Sequence, residues 1–421
     1  MPALTLPAVR RFLPLLFVVL GLFGHVFMQA RPAWKKVSTG GGGRDFASYY
    51  YAAEVALDGG DPYDTEAMTA KAVAERTRKS VHPFFYPPPF LFAVAWVGPV
   101  SLQTAYETWF FVNELLLIGS LALGVWAYGV PLWAAALLLW TWSPIPDNAW
   151  MGQANLLALV PALAGLAIAE KRPVAGGVLV GVAAMLKMSP ALFLGWWLIR
   201  RNWRAVAAAC GAAVALSGAA LSMVGWRATL RFYTEVLPGF SKGDYHGLKV
   251  PISLEANHSI PDLYNRLFPD PGPFLSATAQ HASTATILLL LALCAWRART
   301  ATRPAAMLGA LTVLMVATPV YTYEHHLVFL VIAMGTAAGA VGEVGAARWA
   351  RGERASVVGL WILLVGAWFF LAWPLTWLRE VQAALPEVLR PLCRESKTVA
   401  EAALFGWLLG LGGRQREPGG G

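Results

Sequence analysis

Residues 357–377 read VVGLWILLVGAWFFLAWPLTW, a run without a charged side chain. A helix needs about 20 mostly apolar residues to cross the hydrocarbon core of a bilayer, and this run supplies them. Arg348, Arg351 and Arg354 precede it and Arg379 follows, so its charges collect at its ends. Shorter or comparable runs recur along most of the chain: Phe12–Ala30, Tyr106–Tyr128, Leu132–Trp142, Ala154–Ala169, Val174–Leu186, Ala191–Ile199, Ala205–Val224, Thr284–Trp296, Ala305–Pro319, Leu327–Val341 and Ala400–Leu411. The reading is an all-α integral membrane protein, polytopic, with about 10–12 membrane helices.

Composition agrees. Of 421 residues, 57% are apolar and 14% charged, against about 25% charged in an ordinary soluble domain. The net charge of +9 is a topology signal and not a nucleic-acid footprint, because the basic residues sit in short connections between apolar runs. Anionic lipid head groups are the natural partners of such connections. Cys210, Cys294 and Cys393 show neither a disulfide framework nor zinc spacing. The first run follows Arg10 and Arg11 without a clear small-residue cleavage site, so it reads as a retained anchor.

Four basic clusters fix an orientation: Lys171 with Arg172; Arg200, Arg201 and Arg204; Arg297, Arg299 and Arg303; Arg348, Arg351 and Arg354. If all are cytoplasmic, segments 40–86, 144–152, 225–283 and 320–326 share the opposite face. Arg31, Lys35, Lys36 and Arg44 in the first outer loop conflict with this, but the four short clusters agree with one another. The chain then forms one polytopic domain over 1–412, with outer loops at 31–86 and 225–283 and a short flexible tail at 413–421.

The outer segments hold the candidate chemistry. Phe46, Tyr49, Tyr50, Ala53 and Leu57 recur at helical spacing, which predicts an amphipathic helix on the membrane surface with its rings at the interface. Gly59-Gly60-Asp61-Pro62 ends it, and a polar, exposed helix follows over about 65–79. Tyr86-Pro87-Pro88-Pro89 then forces an extended path into a short re-entrant piece ending at Gly98-Pro99. Asp45, at the start of the surface helix, puts a carboxylate where it can reach both water and a lipid-borne substrate, though on local sequence alone a helix cap is the favoured role. Asp147 and Gly152-Gln153-Ala154-Asn155 stand at an outer helix start, where amides bind sugar hydroxyls or bind helices to one another. Lys187 ends an apolar run just before Met188-Ser189-Pro190, and a cation at membrane depth suggests an anionic ligand. Glu324-His325-His326 opens a helix at another outer tip, suited to a phosphate or to proton transfer. Asn257-His258-Ser259, before a short helical segment, either closes over a lipid or lies at the interface. No Walker A loop, dinucleotide fingerprint or metal motif is visible, so no soluble nucleotide donor and no cofactor is expected.

This ordered set resembles glycosyltransferase family 87, the polyprenyl-phosphate-mannose-dependent mannosyltransferases of the GT-C superfamily. The elements are Arg44-Asp45-Phe46 with Tyr49-Tyr50; Asp61-Pro62-Tyr63; Phe85-Tyr86-Pro87-Pro88; Gly152-Gln153-Ala154-Asn155; Gly181 through Lys187 to Pro190; Arg200-Arg201-Asn202-Trp203-Arg204; Asn257-x-Ser259; and His325-His326. His258 stands where the family has Gln, which departs from its pattern. The resemblance implies an outward-facing site, a donor with one sugar on a polyprenyl phosphate, and a glycolipid or cell-envelope glycan acceptor. It implies Asp45 as the general base of an inverting transfer. Lys187, His325, His326 and Arg44 then meet the donor phosphate without a metal, and Gln153, Asn155, Asn257, Tyr86 and Asp147 line the substrates. Two other readings compete: a transporter or flippase of an anionic lipid-linked substrate, and a related GT-C enzyme using another sugar such as arabinose.

Overall fold

The computed structural model describes residues 6–244, 251–272 and 274–412. Every regular element among them is helical. Six helices are long and apolar enough to cross a membrane alone: Phe12–Ser38, Leu102–Ala127, Trp203–Phe240, Ala277–Ala298, Glu324–Ala350 and Arg354–Ala372. The pair Pro144–Met151 and Asn155–Ile168, bent by 117°, adds a seventh if it counts as one span. Shorter apolar helices, among them Leu132–Thr141, Pro173–Leu186 and Pro304–Ala317, complete the bundle. Glu324–Ala350 is its centre: 83% of its apolar window is buried, against 11–33% in the other five long helices. Those five leave Leu115, Trp126, Val214, Leu289 and Val365 exposed, as a lipid-facing surface requires.

Small residues bring the helices behind the outer tips into direct backbone contact. A Cβ on Gly177 would lie 2.3 Å from the Ala205 carbonyl oxygen, and one on Gly181 2.5 Å from that of Ala209. The two glycines share one helix face, so Pro173–Leu186 lies flush on Trp203–Arg231. Within the membrane layer, His25 of the first helix meets Glu114 at 2.5 Å, a buried polar joint between the first helix and Leu102–Ala127.

Several boundaries differ from expectation. The first helix does not stop near Ala30 but runs on through a π turn, Val26–Ala30, to Ser38. The helix Arg44–Leu57 forms as its period predicts, yet Phe46, Tyr49, Tyr50 and Tyr51 are packed inside the protein and not at a lipid interface. The loop over 60–90 and the helix from Leu102 cover it on the side expected to meet lipid. The next helix is shorter, Thr65–Ala74, and Met68 and Ala72 bury its inner face. The helix from Trp203 continues past Val224 through a kink at Gly225 (φ 72) to Arg231 and on to Phe240. Ala277 starts the next helix before Ser283, so the large outer connection is shorter than 225–283. Asp64 caps Thr65–Ala74, accepting from the Glu66 and Ala67 amides at 3.0 Å. The expected flexible tail at 413–421 lies outside the described residues.

Candidate active site

A cavity of about 2060 Å³ opens where the ends of the helices and their connecting segments meet, and its wall includes Arg44, Asp45, His82, Tyr86, Asp147, Gln153, Lys187, His325 and His326. Away from these polar groups it continues along Trp133, Trp140, Trp361 and Trp368, so a polar site is joined to a broad apolar one.

Asp45 owes its position to the glycine run. The chain passes so close to its neighbours that a Cβ on Gly42 would sit 2.4 Å from the Trp150 carbonyl oxygen. Gly43 adopts φ 72 and is itself the N-cap residue of Arg44–Leu57. Asp45 is therefore inside the first turn and caps nothing. Its Oδ2 accepts from Gln153 Nε2 at 2.6 Å, and its Oδ1 lies 3.5 Å from His82 Nδ1. Burial pushes the Asp45 pKa up, but the His82 bond, the electrostatic influence of His325 and His82 and the Gln153 amide outweigh it, leaving it below the usual 3.8. The carboxylate is thus ionised at neutral pH.

Gln153 is aimed at Asp45 by the bend between Pro144–Met151 and Asn155–Ile168. Gly152 makes that bend at φ +74, and a Cβ there would be 2.5 Å from Phe46 Cβ. Both the left-handed backbone and the contact demand glycine. The hydroxyls of Tyr49 and Tyr86 are 2.7 Å apart, with Tyr86 also 3.3 Å from Gln153 Oε1. Asp147 accepts from Trp150 Nε1 at 2.8 Å on the same wall.

Lys187 stands at the break between Pro173–Leu186 and the short turn Ser189–Phe193. Its Nζ donates to the Tyr86 hydroxyl at 3.3 Å and lies 5.2 Å from that ring's centroid. Among the described residues no carboxylate lies within ion-pair distance of it. His325 and His326 face the same cavity, their rings 4.3 Å apart. The Tyr323 amide donates to His326 Nδ1 at 3.0 Å. That nitrogen is an acceptor, so the ring proton is on Nε2 and free to donate.

Two expected substrate ligands are internal braces instead. Asn155 is fully buried and is not on the cavity wall; its amide donates to the His325 carbonyl at 2.9 Å and to Asn148 at 3.0 Å. Asn148 in turn donates to Asn113 at 3.0 Å. Asn257 is likewise buried, donating to the carbonyls of Ile252 and Val320 at 3.0 and 2.9 Å and accepting from the Thr322 amide at 2.9 Å. Each ties the His325-His326 tip to another segment; Asn257 has both amide atoms engaged, while Asn155 Oδ1 is buried without a partner among the described residues, away from the cavity wall. His258 does not close over a lipid: it is buried, with Nε2 2.8 Å from Glu324 Oε1. Burial lowers its pKa, so the neutral ring donates to the carboxylate.

Two residues of this region carried no signal in the sequence. His82, in a polar loop, becomes a partner of Asp45 only through folding. Lys397, at the start of the last helix, reads as an end-of-helix snorkelling cation, yet it is fully buried beside Glu324.

The model of glycosyltransferase family 87 matches residues 84–319, more than half of the chain. Two proteins of Mycolicibacterium smegmatis are similar to it. The polyprenol-phosphate-mannose-dependent alpha-(1-2)-phosphatidylinositol pentamannoside mannosyltransferase is 28% identical over 344 residues, covering 76% of this chain and 74% of that protein. The polyprenol-phosphate-mannose-dependent alpha-(1-2)-phosphatidylinositol mannoside mannosyltransferase is 28% identical over 173 residues, 37% of this chain and 39% of that protein. No solved structure matches. The matched family segment holds Tyr86, Gln153 and Lys187 but neither Asp45 nor the histidine pair; it is the fold that adds those to the same cavity. With that match the transporter reading gives way to a membrane-embedded transferase, and the chain belongs to glycosyltransferase family 87.

Proposed function

We propose that this enzyme transfers mannose from a polyprenyl-phosphate carrier to a hydroxyl of a glycolipid or cell-envelope glycan, with inversion at the anomeric carbon. The observation that carries the reading is the meeting, in one cavity, of an ionised carboxylate with an unpaired lysine and two imidazoles. The acceptor oxygen attacks the anomeric carbon as the bond from that carbon to the phosphate oxygen breaks. Asp45 takes the acceptor's proton, and Gln153 holds the carboxylate on its other oxygen. His82 offers the proton a way out towards solvent. Polyprenyl phosphate leaves with the electron pair, and Lys187, His326 Nε2–H, His325 and Arg44 receive the growing negative charge. In this reading protein cations do the work that a metal does elsewhere, so no cofactor takes part.

The tryptophan-lined extension of the cavity supports lipid-linked substrates, whose chains enter sideways from the bilayer. Both relatives named above are polyprenol-phosphate-mannose-dependent and act on phosphatidylinositol mannosides, which supports mannose and a glycolipid acceptor here. The helices Asn155–Ile168, Pro173–Leu186, Pro304–Ala317 and Glu324–Ala350 each have one end at the cavity. Their other ends carry Lys171, Arg172, Arg303, Arg348 and Arg351, which under the positive-inside rule supports a cavity on the non-cytoplasmic face. The test is to incubate the purified enzyme in nanodiscs with radiolabelled polyprenyl-phosphate-mannose and membrane lipid extract. A labelled glycolipid with an α-mannosyl cap is expected. Transfer from the arabinose analogue and not from the mannose donor would overturn the sugar assignment.

A further inference from the structure

The last helix, Ser396–Gly412, lies beyond the segment that the family model matches, yet it reaches the site. Lys397, in its first turn, is fully buried, with Nζ 2.5 Å from Glu324 Oε2. The other oxygen of Glu324 takes the His258 bond at 2.8 Å. One turn on, Glu401 is also buried, with no hydrogen-bond partner for either oxygen among the described residues. Burying an ion pair is poor value for stability alone, since an apolar pair of similar size often serves as well. What such a pair does supply is a fixed register between segments that meet from different directions.

We propose that Lys397 is a positioning residue for the donor-facing histidines, acting through Glu324. Glu324 directly precedes His325 and begins the tight turn Glu324–Phe329. With one oxygen drawn to the last helix and the other to the outer connection, its side chain has a single orientation, and the turn that starts from it is fixed at its first residue. Asn155 holds the same turn at the His325 carbonyl, and the Tyr323 amide holds His326. Lys397 is therefore a further anchor on the segment that carries the two imidazoles, and it is the one supplied by the last helix. Removing its charge leaves Glu324 as a buried carboxylate with one bond, free to turn or to take up a proton. The tip then loosens and the histidines lose their aim at the phosphate.

This inference rests on the reading that the histidines meet the donor phosphate, so its test has one arm that needs no substrate. In Lys397→Met, backbone amide exchange over residues 320–330 is expected to quicken by about tenfold or more, with Lys397→Arg close to wild type. Unchanged exchange in Lys397→Met overturns the proposal, whatever donor the enzyme uses. In turnover, Lys397→Met is expected to lower kcat/KM for the polyprenyl-phosphate donor about 10- to 100-fold while the acceptor KM stays within about twofold. Equal losses for both substrates would make Lys397 a general structural residue. If Lys397→Met does not fold, Lys397→Met with Glu324→Gln removes both charges and restores a neutral interior. That double variant is expected to fold and to keep the donor defect and the fast exchange; wild-type values for both would overturn the proposal.

Discussion

Replacing Asp45 by Asn separates chemistry from architecture more cleanly than the sequence suggested. Because Gly43 occupies the cap position, Asn loses no cap. It loses a favourable charge in the first helical turn, worth about 0.3–1 kcal/mol. The bond from Gln153 at 2.6 Å falls from charge-assisted to neutral, a loss of about 1 kcal/mol. The fold should be about 1–2 kcal/mol less stable, a drop in Tm of a few degrees at most. The rate should fall far more, because an amide cannot take the acceptor's proton. Loss of a general base costs about 10²–10⁴ in rate, or about 3–5 kcal/mol on the barrier. The assay is single-turnover transfer from radiolabelled donor in nanodiscs, with donor binding measured separately on the same sample. Asp45→Asn should bind donor normally and transfer it at less than a hundredth of the wild-type rate. Retention of more than about a tenth of that rate would refute the assignment. The pH profile gives a second check. Asp45 is held below its ordinary 3.8, so its ionised form, and the stability that form contributes, persist above 3.8. Both are lost only as pH falls through the lower folded-state value. Wild-type activity should show no acidic limb from this group above about pH 4.

Lys187→Met should raise the donor KM at least about tenfold and leave the acceptor KM within about twofold, since on the proposed reaction that cation meets the donor phosphate; steady-state kinetics with each substrate varied decides it. Gly152→Ala forces a side chain into φ +74 and to within 2.5 Å of Phe46. It should cost about 1–3 kcal/mol in a thermal melt and slow transfer by displacing Gln153. Cysteines placed at Arg76 and at Arg351, in a variant lacking Cys210, Cys294 and Cys393, test the topology. An impermeant thiol reagent should label only the first in intact cells, and labelling of the second would reverse the orientation.

The membrane class and the polar tips were legible because both depend on residues close together in sequence. Lys187 shows as a cation that ends an apolar run, and His325-His326 as imidazoles opening another. Asp45 shows as a carboxylate after four glycines. Amides were not legible in the same way. Asn155 and Asn257 have the right chemistry for sugars, but an amide's role is set by which backbone comes within 3 Å of it, and here those are the carbonyls of His325, Ile252 and Val320. Phe46 and the tyrosines after it gave the correct helical period and the wrong surroundings. Periodicity tells which face is apolar but not whether lipid or protein covers it. The helix from Trp203 passes the expected end at Val224 because Trp226, Leu230 and Tyr233 continue an exposed apolar face beyond the kink at Gly225. Lys397 was beyond reach because its partner lies 73 positions earlier in the chain.

The sharing of one cavity by Asp45, Lys187 and the histidine pair also sets a kinetic order. On the proposed reaction, base and phosphate-binding cations share one chamber, so donor and acceptor must occupy it together and no covalent sugar–enzyme intermediate intervenes. Initial-rate plots against one substrate at fixed levels of the other should intersect and not run parallel. With a glycolipid acceptor, both products of the proposed reaction carry lipid chains along the tryptophan wall, and each must diffuse out sideways before the next pair enters. Turnover in a stiff or thick bilayer should then be governed by membrane fluidity, with chemistry finished well before the chamber empties.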